Sequence, residues 1–222
     1  LLGIEGRLEA NKDKKIVPYK RGGLEVVSTG LITDDEDTAL MWRGLMLSKA
    51  LEQFLFDVEW GNLDYLVIDL PPGTGDIQMA LGRLLPQTEL VVVTTPQLSA
   101  QKVATRVADM AKRSFIPLLG VVENMSYFES GDGNKYNIFG KGGGDELSEK
   151  FGIPLLSKIP ISEDSIEESE NGTPILLQNN KTPTKEAMQD LVNTIIKVLP
   201  PVSDETCTGR LAKVLEELEV EA

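Results

Sequence analysis

The sequence predicts an α/β fold, a mostly parallel sheet with helices on both faces. Two patterns carry that prediction. Residues 65–70, 89–95 and 118–124 are apolar almost without interruption, where a strand solvated on one face would alternate with polar residues. Between them lie helix-length segments whose apolar residues recur at three- and four-residue spacing. Strands and helices that alternate in this way build a parallel sheet covered by its own connections.

In chain order, residues 24–28 read as a short strand. Residues 39–56 form a helix with Leu40, Leu47, Leu51, Phe54 and Leu55 on one side. Residues 65–70 (YLVIDL) are the strand that bears Asp69, and 76–85 continue as a helix. The strand at 89–95 (ELVVVTT) stops at Pro96, which has no N–H to give a ladder. A helix at 99–113 presents Val103, Val107 and Met110, and Pro117 introduces the strand at 118–124. Residues 142–151 are helical, and 154–159 give a short strand that ends at Pro160. The helix at 183–199 has Thr182 as its cap, Pro183 in its first position and Met188, Leu191, Val192, Ile195 and Ile196 on one face. Pro200 and Pro201 end it. A last amphipathic helix at 208–218 carries Leu211, Val214, Leu215 and Leu218 against the acids Glu216 and Glu217. The chain thus divides into a body, 1–199, and an acidic C-terminal helix within 200–222.

Ligands of open α/β sheets bind beyond the carboxyl ends of the strands. The stretch at 66–76, LVIDLPPGTGD, delivers Asp69 to such an end, followed by a glycine-rich turn. Asp69 reads there as the acid that holds Mg²⁺ through its water shell, since Mg²⁺ keeps several waters, with a structural acid as the alternative. Gly73 and Gly75 would bring backbone N–H groups to a terminal phosphate without obstruction, although tight-turn geometry alone would also account for both. Asp76 reads as a helix N-cap. Asn124, at the end of the VVEN strand, offers a donor and an acceptor to the edge of adenine; an Asx-type strand terminator is the alternative.

Composition bounds the function. With 222 residues, 41% of them hydrophobic, the chain is long enough for one substantial core. A single cysteine, Cys207, excludes a disulfide framework and suits a reducing compartment, so a cytoplasmic protein is expected. No apolar run approaches the roughly 20 residues of a membrane helix. A net charge of −13 argues against nucleic-acid or anionic-membrane partners. Lys12, Lys14, Lys15, Lys20 and Arg21 form the one basic cluster, and with Asp13 and Pro18 between them it reads as a solvated loop. Histidine is absent, which removes serine–histidine triads and most zinc sites.

Four blocks, DLPPGTGD at 69–76, TTPQ at 94–97, VVENMSYF at 121–128 and FGKGGG at 139–144, resemble the Mrp/ApbC family in order and spacing. The similarity runs from about residue 41 to about residue 199. That family comprises P-loop ATPases related to MinD, described as iron–sulfur cluster carriers. The resemblance implies ATP and Mg²⁺ as cofactors, a homodimer, and iron–sulfur apo-proteins as clients. It assigns the adenine edge to Asn124. It also likens Pro160 to the proline lining the adenine pocket, although packing alone would explain that residue. Leu45 stands where relatives often have proline and Ser162 where many have aspartate; neither receives a role.

The sequence departs from the family pattern twice. No G-x-x-x-x-G-K-[ST] phosphate loop is present, and the run at 140–144 is a superficial likeness with Asp145 after its glycines. Residues LLGIEG resemble the segment after the family's second strand. The expectation is a domain lacking the first strand, phosphate loop and second strand, inactive alone. Where many members carry a C-x-x-C pair, this chain reads Glu129-Ser130-Gly131-Asp132-Gly133-Asn134. A four-thiolate cluster needs four ligands, and two copies would supply only two cysteines. Two alternatives accompany the carrier: a MinD-like positioning ATPase, disfavoured because the C-terminal helix is acidic rather than basic, and a non-catalytic scaffold.

Overall fold

A computed structural model of the chain describes residues 2–4, 6–31, 44–71, 75–161, 172–179 and 181–201. The helix expected at 208–218, Gly73, Ser162 and Cys207 lie outside the described residues, as do the side chains of Leu45 and Asp76.

The chain enters through two antiparallel hairpins. β1 (Glu9–Ala10) pairs with β2 (Ile16–Val17), and β3 (Tyr19–Arg21) with β4 (Leu24–Val26). Asn11 builds the first turn, its Oδ1 accepting from the N–H groups of Asp13 and Lys15 at 2.9 Å each. Gly22 and Gly23, at φ 57° and 83°, supply the left-handed pair that a two-residue hairpin turn requires. The single strand expected at 24–28 is thus one arm of a hairpin. Three members of the basic cluster make separate contacts: Lys15 with Asp57 at 3.6 Å, Lys20 with Glu25 at 2.8 Å, and Arg21 with the carbonyl oxygens of Gly3 and Gly172.

Two cores lie beyond the hairpins. α1 (Gly44–Phe56) and α2 (Gly75–Leu84) enclose Leu51, Ile77 and Leu81, with Ile68 and Leu70 packed against them. The second core lies on the three-stranded sheet of β5 (Leu90–Thr94), β6 (Leu118–Glu123) and β9 (Leu155–Lys158), all parallel, in the order β5-β6-β9. Helices α3 (Leu98–Arg113) and α4 (Gly143–Phe151) close over Val92 and Val121. Ala104, Ala108 and Ala111 form the buried stripe of α3, and their small side chains let the helix approach the strands closely. Between β6 and β9 the two-residue strands β7 (Phe128–Glu129) and β8 (Lys135–Tyr136) form a projecting hairpin. α5 (Pro183–Val198) packs beside β9, where the Ser157 hydroxyl donates to the Ala187 carbonyl at 3.3 Å. Its start is as the sequence predicts: Thr182 Oγ1 accepts from the Lys185 N–H at 3.1 Å, and Pro183 opens the helix.

The expected strand at 65–70 requires correction. It pairs with no described strand. Ile68 and Leu70 still face inward and Val67 outward at 90% exposure, but among the described residues the ladder ends at β5 and this segment has no strand neighbour. Apolar content alone does not make a strand; a paired backbone does.

Candidate functional site

The parallel register sets Thr94, Glu123 and Lys158 side by side at the carboxyl ends of β5, β6 and β9. Around them three of the sequence blocks meet. Pro96 turns the chain out of β5, and its carbonyl accepts from Gln101 Nε2 at 2.8 Å. Gly143 lies against that turn so closely that a Cβ there would sit 3.0 Å from Pro96 Cα and 2.5 Å from Gln101 Nε2. Gly144 faces β6, where a Cβ would meet Glu123 Cβ at 2.8 Å. The last two glycines of the FGKGGG block therefore serve close docking onto the TTPQ and VVEN strand ends.

Asn124 leaves β6 half-buried, with its N–H donating to the Thr94 carbonyl at 2.7 Å. Its Oδ1 accepts from the Met125 N–H at 2.9 Å and so supports Met125 in the left-handed region at φ 53°. The terminator and base-edge readings are compatible at this residue, because Nδ2 has no hydrogen-bond partner among the described residues. Pro160 is buried beside this turn. The Ile159 N–H donates to the Glu123 carbonyl and the Ser126 N–H to the Ile159 carbonyl, both at 2.9 Å, while the Thr184 hydroxyl donates to the Pro160 carbonyl at 3.1 Å. Asn124 and Pro160 are thus brought together. An amide with a free donor and a residual acceptor lone pair fits the paired N6/N7 edge of adenine.

Asp69 is exposed, at the outward-facing position of the unpaired 65–70 segment. Gly75 is the first residue of α2, and among the described residues a Cβ on it would meet only Met110 Cγ, at an ordinary 3.8 Å. No described contact joins Asp69 or Gly75 to the Asn124–Pro160 pair. Three or more histidine, cysteine or carboxylate side chains do not gather into a metal cluster anywhere among the described residues.

Glu123 was missed by the sequence reading. It is 1% exposed, with Oε1 accepting from the Ser126 hydroxyl and Oε2 from the Gly144 N–H, both at 2.5 Å. Its signal is a carboxylate inside an otherwise apolar strand. This side chain also explains why the glycine run is no phosphate loop: a first-turn N–H of α4, which an anion would use, already serves a carboxylate.

At the tip of the β7–β8 hairpin, Asp132 accepts from the Ser130 hydroxyl, from the Asn134 N–H at 3.2 Å and from Asn134 Nδ2 at 2.6 Å. The Ser130 hydroxyl first, then Asn134, holds the Asp132 carboxyl below the ordinary aspartate range. Lys135 stands 4.3 Å over the Tyr127 ring, and that phenol, with Glu129 beyond it, holds the ammonium above its usual range. This tip is a self-satisfied polar turn without a thiol, and it does not fit an iron–sulfur cluster.

A family described as ParA, NUBPL iron-transfer P-loop NTPase, matches residues 1–196. The iron-sulfur cluster carrier protein of Aquifex aeolicus is 41% identical over 201 residues, covering 90% of this chain and 55% of that protein. That of Saccharolobus solfataricus is 37% identical over 202 residues, covering 90% and 68%. Among solved structures, a nucleotide-binding protein from Archaeoglobus fulgidus in complex with ADP aligns with a TM-score of 0.62 at 31% identity, over 81% of this chain and 69% of that one. The MinC:MinD cell division protein complex of Aquifex aeolicus aligns at 0.51 and 20%, over 78% and 64%, a likeness of fold alone. The chain spans about half the length of the first curated relatives it matches.

Proposed function

The chain belongs to the NUBPL iron-transfer P-loop NTPase family, and from that premise we propose that it serves an ATP-dependent iron–sulfur cluster carrier by supplying the wall that reads the base of the nucleotide. One observation carries this reading: the fold sets Asn124, with its unspent Nδ2 donor, beside buried Pro160 at the carboxyl ends of β6 and β9. Asp69 would hold Mg²⁺ through water, and Gly73 and Gly75 would face the terminal phosphate. These residues bind and orient. Neutralising the transferred phosphoryl group requires the phosphate loop, which this sequence does not contain.

The cluster is cargo, delivered to apo-protein clients by a homodimer in the cytoplasm, and its ligands come from outside the described residues. A carrier is favoured over a MinD-like positioning ATPase because the relatives near 40% identity are named iron-sulfur cluster carriers, whereas the MinD likeness extends only to fold. No helix among the described residues is long and apolar enough to cross a membrane.

The test joins the chain behind the phosphate-loop half of a relative. Mg²⁺-dependent ATP hydrolysis is expected to appear, and Asp69→Asn to remove it with the circular dichroism spectrum unchanged. Turnover of the variant within a few-fold of its parent would overturn the metal assignment.

A further inference from the structure

Among the described residues Glu123 is the one buried carboxylate. Taking a charge out of water is costly, and an apolar residue of similar size would pack this strand at less expense. No lysine or arginine among the described residues pairs with it; Lys158, its neighbour in register, is bound to Asp145 at 2.6 Å. What offsets the burial is a charge-assisted bond at each oxygen, one of them to the first turn of α4, where the helix dipole favours negative charge.

Those two bonds are far apart in the chain. Ser126 precedes the β7–β8 hairpin and Gly144 comes after it, so one carboxylate closes both ends of the excursion 127–143. The ascending limb is fastened further by the Ile161 N–H to the Tyr127 carbonyl at 2.8 Å, and by a bridge between Phe128 and Ile161. The descending limb is fastened by the seat of Gly143 on Pro96 and Gln101. Asn124 is the next residue along from Glu123.

We propose that Glu123 is a positioning residue that couples the turn at 124–126 to the glycine loop at 140–144, so that engagement of a base at Asn124 sets the order of the hairpin between them. The direction of that regulation rests on the base-reading role given to Asn124 above; the mechanical link does not.

Amide hydrogen exchange on the 222-residue chain tests the link without nucleotide. Ser126→Ala removes one bond and touches nothing at Gly144. Exchange at Gly144 and through 127–143 is nevertheless expected to rise roughly two- to tenfold, the effect of one net hydrogen bond, with α5 unchanged. Glu123→Gln keeps the volume: its amide oxygen can face the Gly144 N–H while its NH₂ donates to the Ser126 hydroxyl, so its effect should be smaller than that of Glu123→Leu. A rise confined to residues near Ser126, or an equal rise in α5, would overturn the proposal. The second arm adds ATP to the chain joined behind a relative's phosphate-loop half. Protection should spread from Asn124 into the hairpin in the parent and stop at the turn in Ser126→Ala. Equal spread in both would overturn the coupling. Absence of protection at Asn124 itself would instead refute the base-reading role, leaving the first arm to decide the link.

Discussion

One substitution pair separates the turn contact that Asn124 makes from the base-reading role proposed for it. Asn124→Ala removes the Oδ1 acceptor 2.9 Å from the Met125 N–H, and with it the support for a non-glycine residue at φ 53°. A net hydrogen bond is worth about 0.5–1.5 kcal/mol, and a left-handed L-residue costs roughly 1–2 kcal/mol. A loss near 1 kcal/mol is therefore expected, lowering Tm by about 2–4 °C for a domain of this size. Asn124→Asp keeps the acceptor and discards the Nδ2 donor, so its Tm should stay within about 1 °C of the parent. Nucleotide binding should fall in both. An unpaired polar edge costs about 1–3 kcal/mol, or roughly five- to 150-fold in affinity, and preference for ATP over GTP should fall with it. Calorimetric titration and thermal unfolding, in the chain joined to a phosphate-loop half, read the two effects independently. An Asn124→Asp protein that binds ATP like its parent would refute the base-edge reading, and an Asn124→Ala protein with an unchanged Tm would refute the turn.

Three further outcomes are expected from the same geometry. Gly120→Ala would set a Cβ 2.6 Å from Leu156 Cγ and 2.7 Å from the Pro154 carbonyl, so a loss of about 1–3 kcal/mol by overpacking is expected in denaturant unfolding; a neutral result would mean that β6 and β9 lie further apart. Asp132 has its folded pKa lowered, so its contribution to hairpin order is complete above the ordinary aspartate value of 3.8 and fades as pH falls through the lower folded value; an NMR titration of the Asn134 amide with its midpoint at or above 3.8 would contradict the Ser130–Asp132–Asn134 turn. Cys207→Ser should leave iron binding unchanged, because two copies of one cysteine cannot complete a four-thiolate set; a cluster spectrum that vanishes with this substitution would show the opposite.

Elements with redundant local signals were legible in the sequence. α5 has a cap, a first-turn proline and a five-residue apolar face; β5 and β6 are apolar runs closed by Pro96 and Asn124. The entry hairpins were legible too, but were not read: Gly22-Gly23 between YKR and LEV is a strong hairpin signal, overshadowed there by the basic residues around it. The segment at 65–70 misled for a physical reason. Its nearly unbroken apolar composition signals burial, whereas pairing depends on a neighbour that composition does not reveal.

The placement of Asn124 and Pro160 was legible to the same depth. Asn124 and Pro160 end their strands at adjacent points, so topology alone brings them together. Glu123 could not be placed in the same way, since its role depends on Gly144, 21 residues further on, reaching the strand end. The glycine run shows why spacing and chemistry must be judged together. Glycines 140, 142, 143 and 144 resemble a phosphate cradle in composition, yet Gly140 and Gly142 supply left-handed turns at φ 90° and 83°, while Gly143 and Gly144 supply room for Pro96 and Glu123. A phosphate cradle needs backbone N–H groups left free for an anion. Here the Gly144 N–H already meets a buried carboxylate, and a phosphate brought to it would face that negative charge. The loop is therefore built to hold a hairpin against the strand ends, and the nucleotide proposed to be read at Asn124 would need its phosphates held elsewhere.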